Sequence, residues 1–162
     1  MALAVGLLVQ AALLPIGTGD CLAAEPTGAG GLKSFMTDGC SLFPDRALIG
    51  RGDWCGCCVA HDLAYWRGGT SEARLLADKA LRACVARVTG NEALAELMYE
   101  GVRAGGGPYF YTSYRWGYGW PDRHSYRPLS TAESTLADHL EQDYRAREPM
   151  PSCPSSESNS GG

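Results

Sequence analysis

The chain has 162 residues, 45% hydrophobic and 20% charged, with 14 Lys+Arg against 18 Asp+Glu and a formal net charge of −4. That composition excludes collagen, coiled coils and wholesale disorder, and the length leaves room for one sizeable core. The mild acidity lacks the basic footprint of a nucleic-acid-binding domain, so no nucleic-acid partner is expected. Seven Cys and 21 Gly stand out, and they raise the questions of compartment and of a loop-rich fold.

Met1 to Gly19 carries no charged side chain; an apolar, helix-prone stretch (MALAVGLLVQAALLPIG) runs into small residues (GTGDCLAAEP). This predicts a secretory signal peptide over residues 1–24, cut near Ala23 or Ala24, with retention as an anchor as the alternative. The expected location is therefore extracellular. The six cysteines that follow (Cys40, Cys55, Cys57, Cys58, Cys84 and Cys153) form an even set, and disulfides are the default in an exported protein. Spacing alone does not choose among the pairings.

The folded domain is expected over 32–148. Residues 34–53 hold turn formers around few apolar side chains and predict an ordered loop. Trp54 to Arg67 predicts a helix stopped by Gly68-Gly69. Thr70 or Ser71 then caps a second helix to about Val88, with Leu75, Leu81 and Val85 near helical spacing. Asn91 caps a third, Glu92 to about Arg103, ended by Gly105-Gly106-Gly107-Pro108. Tyr109 to Tyr126 is dense in aromatics and glycine and predicts an irregular segment or a short hairpin. Ser130 to Arg147 predicts a last helix, with Ser130 and Glu133 spaced as a capping box. Residues 149–162, rich in Pro and Ser, predict a flexible tail.

The chemically informative stretch is Cys55-Gly56-Cys57-Cys58-Val59-Ala60-His61-Asp62-Leu63-Ala64-Tyr65. On a helix, Cys58, His61, Asp62 and Tyr65 share one face. Burying an imidazole, a carboxylate and a phenol together is costly unless they pair, so a functional site explains the pattern better than a core does.

CC-x-x-HD-x-x-Y resembles the active-site helix of secreted phospholipase A2. The form HD-L-A-Y, without the Cys usual before the Tyr, is similar to viral capsid phospholipase A2 domains. The resemblance runs from roughly Asp38 to Cys84. It implies a mainly α, small disulfide-stapled fold with two antiparallel active-site helices preceded by a calcium loop. The implied activity is calcium-dependent hydrolysis of the sn-2 acyl ester of glycerophospholipids at a membrane or micelle surface. His61 would be the general base on water, Asp78 would orient its ring, and Tyr65 would hydrogen-bond Asp78. Asp62 would bind Ca²⁺, joined by backbone carbonyls of the Ser41–Asp45 loop, with Ser41, Phe43 and Asp45 as candidate ligands. That loop departs from the Gly-rich form best known in the family.

The resemblance also implies bridges Cys57–Cys84 and Cys40–Cys58, leaving Cys55 and Cys153 to each other. A further family bridge is absent at both ends, where this chain has Ala64 and Ala77. Two other readings stand beside the enzyme. One is a catalytically inactive binding module on the same scaffold. The other is a zinc-stabilised secreted structural protein using Cys55, Cys57, Cys58 and His61. His124 and His139 are expected at the surface, and Glu133, Glu141 and Asp143 on a solvated helix face. Arg115, Trp116 and Trp120 could meet lipid, but packing over the helices is the favoured reading.

Overall fold

A computed structural model describes residues 31–40, 53–121 and 125–148 of the chain. The expected signal peptide, most of the expected calcium loop, His124 and the C-terminal tail lie outside the described residues. Among the described residues four helices follow in chain order: α1 Cys55–Arg67, α2 Ser71–Thr89, α3 Glu92–Gly105 and α4 Thr131–Arg147. No strand occurs among the described residues, and none of their helices is long and apolar enough to cross a membrane.

The helix boundaries follow local chemistry. Thr70 and Asn91 accept hydrogen bonds from Ala73 N and Leu94 N, and so cap α2 and α3. Ser130 and Glu133 form the expected capping box at the start of α4. At the head of α1 the Trp54 side chain makes no cap, and one step earlier Asp53 Oδ1 accepts from Cys55 N–H at 3.1 Å. Gly68 ends α1 at φ +73°, and a Cβ there would sit 2.9 Å from Gly117 Cα.

α1 is buried on two sides, which explains its weakly amphipathic sequence. On one side Cys55, Val59 and Trp66 pack with Leu32, Phe35, Trp120 and the α4 residues Ala137, Leu140 and Tyr144. On the other, Trp54, Cys57 and Cys58 pack with Leu81 and Val85 of α2 and with Ala95 and Met98 of α3. Disulfides tie this second side. Cys57 is bonded to Cys84 and Cys58 to Cys40. Cys55 is disulfide-bonded too; its expected partner, Cys153, lies outside the described residues. Each bridge closing a loop in so small a domain contributes about 2–5 kcal/mol. Contacts between α1 and α2 pair residue 57 with 84, 61 with 78 and 65 with 74. The two helices therefore run antiparallel, as their short connection demands.

Over residues 109–121 the aromatic segment forms irregular turns rather than a hairpin. It serves the C-terminal end of α1, whose last carbonyls have no partner within the helix. Gly117 N donates to Tyr65 O at 2.6 Å, Gly119 N to Trp66 O at 3.2 Å and Trp120 Nε1 to Arg67 O at 2.8 Å. Trp116 and Trp120 are 2% and 1% exposed, so they pack rather than face lipid. Arg115 is turned inward as well, donating to Gly117 O and Trp120 O. The acidic face expected on α4 is only partly solvated. Glu133 is clamped by Arg127 at 2.5 and 2.9 Å, and Glu141 accepts from Arg145 at 2.7 Å.

Gly119 is where backbone must approach closely, since a Cβ there would lie 2.4 Å from Trp66 Cδ1 and 2.7 Å from Leu32 Cδ1. Gly119→Ala should cost about 1–3 kcal/mol in urea unfolding. Gly56→Ala, at an exposed helical position with nothing within 4 Å, should be neutral or gain up to ~1 kcal/mol.

Candidate active site

The antiparallel register of α1 and α2 brings His61 against Asp78. Nε2 of the imidazole lies 2.8 Å from Asp78 Oδ1, and both side chains are buried, the carboxylate completely. Tyr65, one turn further along α1, donates its hydroxyl to the same Oδ1 at 2.8 Å. The three residues expected to act together are therefore in direct contact.

Two arginines complete the cluster. Arg103, in the last turn of α3, donates from Nη1 to Asp78 Oδ2 at 2.6 Å. Arg74 stands four residues before Asp78 on α2, with Nε 3.7 Å from Oδ2. Its nitrogens are committed elsewhere. Nε donates to Tyr65 Oη at 2.9 Å and Nη1 to Tyr126 Oη at 2.5 Å. Nη2 donates to Val102 O and Arg103 O, at 2.7 and 2.9 Å. Those carbonyls belong to the open end of α3, which Arg74 thereby fastens to α2.

Burial alone would raise the Asp78 carboxyl, but hydrogen bonds from His61, Arg103 and Tyr65 outweigh it and hold it below its ordinary range. The carboxylate is therefore ionised at neutral pH and can only accept. Nε2 of His61 must carry the proton, leaving the Nδ1 lone pair as the basic position. No hydrogen bond to Nδ1 occurs among the described residues. The Tyr65 hydroxyl is pushed up by burial and by the neighbouring Asp78 charge, so it stays a neutral donor.

His61 lines a mainly apolar cavity of about 140 Å³, walled by Leu81, Met98, Val102, Tyr114 and the Cys40–Cys58 bridge. Glycines at 101, 105 and 106 keep the α3 side open. At Gly106 a Cβ would fall 2.6 Å from the Tyr65 ring, so any side chain there would displace the phenol from Asp78.

Asp62 turns away from Asp78. It lines this cavity and also a second, more polar one of about 320 Å³ with Thr37, Asp38, Ser113, Tyr114 and Tyr118. Thr37 Oγ1 donates to Asp62 Oδ2 at 2.6 Å. Burial pushes the Asp62 carboxyl up to about 6, and Asp38 adds to the rise; the Thr37 hydroxyl and His61 pull it down. The charged form is thus poorly compensated by the protein alone.

Among the described residues no group of three or more His, Cys, Asp or Glu converges to hold a metal ion. A hard cation at Asp62 would need carbonyl oxygens as well. The expected sources Ser41, Phe43 and Asp45 lie outside the described residues. Cys55, Cys57 and Cys58 are all in disulfides, which removes the thiolates that a zinc cluster with His61 would require. His139 is exposed, as expected, and pairs with Asp143 at 3.2 Å.

Arg74, Arg103, Thr37 and Gly106 were not picked out by the sequence. Arg74 carries one local signal, its four-residue spacing from Asp78 on a helix. The other three meet the site through contacts distant in sequence.

No protein-family model, curated protein or solved structure matches the chain.

The depressed Asp78 pKa predicts a pH dependence. Stability gained from its charge is complete above its ordinary value of 3.8 and is lost as pH falls through the lower folded value. Asp78→Asn leaves two arginines without their counterion, and should cost roughly 3–5 kcal/mol at pH 7. That gap should narrow steadily below pH ~4 in denaturant titrations of the two proteins.

Proposed function

We propose that this chain is a calcium-dependent esterase of the phospholipase A2 type, hydrolysing the sn-2 acyl ester of glycerophospholipids at a lipid surface. The observation that carries the reading is the buried His61–Asp78 pair, oriented through Nε2 and opening on an apolar cavity, with a second carboxylate one residue away. Further support comes from the bridges Cys57–Cys84 and Cys40–Cys58, which are the ones the resemblance to that family implies. Disulfides also suit the secreted location proposed from the apolar N-terminal stretch.

In this reading Nδ1 of His61 takes a proton from a water whose oxygen attacks the ester carbonyl. The proton is then returned to the departing alkoxide, giving a lysophospholipid and a free fatty acid. Asp78 keeps the proton on Nε2, fixes the ring plane and stabilises the imidazolium that forms in between. Tyr65 holds the carboxylate oxygen shared with His61. The cavity walled by Leu81, Met98 and Val102 takes the beginning of the acyl chain and keeps bulk water from the base. Asp62 is the candidate calcium ligand, because a half-buried carboxylate with a raised pKa and Asp38 alongside gains from a cation. Calcium held there would supply positive charge to the ester carbonyl oxygen.

Contact with lipid falls to other aromatics than Trp116 and Trp120. Tyr109, Phe110 and Tyr111 are 65%, 48% and 89% exposed and belong to the segment whose Gly106 and Tyr114 line the cavity. Phenolic and phenyl rings at such a rim suit a membrane interface.

The deciding assay is fatty acid release from mixed liposomes in calcium or in chelator. Wild type should be active only with calcium, and His61→Ala should be inactive under both conditions; equal release from the two proteins would rule the reading out. Asp62→Asn should chiefly raise the calcium concentration needed. Phe110→Asp combined with Tyr111→Asp should weaken sedimentation with vesicles while leaving hydrolysis of dispersed short-chain substrate intact. Undiminished vesicle binding would remove the lipid role of that loop.

A further inference from the structure

We propose that Arg103 is a positioning residue for the His61–Asp78 pair, holding the second oxygen of the carboxylate so that the first stays aimed at the imidazole. The role of the pair in hydrolysis rests on the reading above; the geometry that Arg103 maintains does not.

An aspartate carboxylate rotates easily about its last torsion, which is broad and roughly two-fold. Tyr65 and His61 both engage Oδ1 and leave Oδ2 to other partners. Arg74 does not hold Oδ2, because its Nε is 3.7 Å away and its hydrogen bonds go to Tyr65, Tyr126 and the end of α3. Arg103 Nη1, at 2.6 Å, makes the only hydrogen bond given to Oδ2 among the described residues. A charge-assisted contact of that length fixes the carboxylate plane.

The two arginines thus divide the work. Arg74, buried, locks the end of α3 to α2 and to the Tyr65 hydroxyl. Arg103, with a side chain one-third exposed, takes its place on Asp78 because that end is locked. The helix that supplies Met98 and Val102 to the cavity wall therefore also supplies the group that sets the dyad. Arg103 does not line the cavity and touches neither reacting atom, which separates it from the catalytic residues.

The test uses the full chain with Arg103→Met, Arg103→Lys and, as a surface control, Arg145→Met. The first readout is the downfield proton signal of His61 Nε2–H in protein with nitrogen-labelled histidine. It should be present in wild type, Arg103→Lys and the control, and be lost or displaced in Arg103→Met. The second is hydrolysis of dispersed short-chain phosphatidylcholine in calcium. Arg103→Met should lower kcat by roughly 10- to 100-fold with KM unchanged, and the lysine variant should recover most of it.

An unchanged signal in Arg103→Met, an unchanged kcat in an active enzyme, or a change in KM alone would overturn the proposal. If Arg103→Met does not fold, the lysine variant decides, since an ammonium can still reach Oδ2. Its retained signal supports the role, and its loss refutes it. Wild type without fatty acid release would instead defeat the hydrolytic reading, while the histidine signal still decides whether Arg103 sets the pair.

Discussion

A carboxylate with no exposure to solvent sits at the junction of three helices, and the arrangement of the rest follows from the need to compensate it. Asp78 would be untenable as an isolated buried charge. Tyr65 and His61 from α1 satisfy one oxygen, and Arg103 from α3 satisfies the other. Each of these partners can reach it only if its helix keeps its present height and rotation. The polar cluster therefore sets the mutual register of α1, α2 and α3, while the apolar layers on either side supply most of the attraction.

The disulfides act on the same geometry from outside. Cys57–Cys84 fastens α1 to α2 four residues along α1 from His61, and Cys40–Cys58 brings the segment carrying Thr37 and Asp38 against the Asp62 side. Adjacent residues on one helix consequently face different chemical settings. His61 is turned to a carboxylate held ionised by donors, whereas Asp62 is half-buried beside another acid with one hydroxyl for company. The first setting fixes the orientation and tautomer of the imidazole. The second makes a carboxylate that favours either a proton or a cation. The hydrolytic function proposed for the chain rests on these two settings lying side by side on one apolar cavity.

Small residues are as necessary here as charged ones. Gly106 lets the chain pass against the Tyr65 ring, and Gly119 does so against Trp66. The tryptophans return the favour by donating to main-chain carbonyls. Trp66 reaches Lys33 O, Trp116 reaches Gly69 O and Trp120 reaches Arg67 O. An aromatic, glycine-rich segment that forms no regular structure of its own thus closes the open end of α1 and covers a core short of aliphatic side chains.

What the sequence determined by itself is what near neighbours decide. Cap residues at Thr70, Asn91 and Ser130, the glycine stops, and the shared face of Cys58, His61, Asp62 and Tyr65 are all short-range properties, so the four helices of the described residues were legible, whereas the pairing of His61 with Asp78 was expected only from the family resemblance. The choice between irregular turns and a hairpin for residues 109–121 was not legible, because it depends on carbonyls at the far end of α1 needing donors. Nor could the sequence show that Arg103 meets Asp78, that Thr37 lies on Asp62, or that Arg74 fastens the end of α3. Those facts arise from segments 25 or more residues apart meeting across a core. Only the tertiary structure decides which donor answers a buried charge, since any arginine in the chain carries the same chemistry and only packing puts one of them at hydrogen-bonding distance.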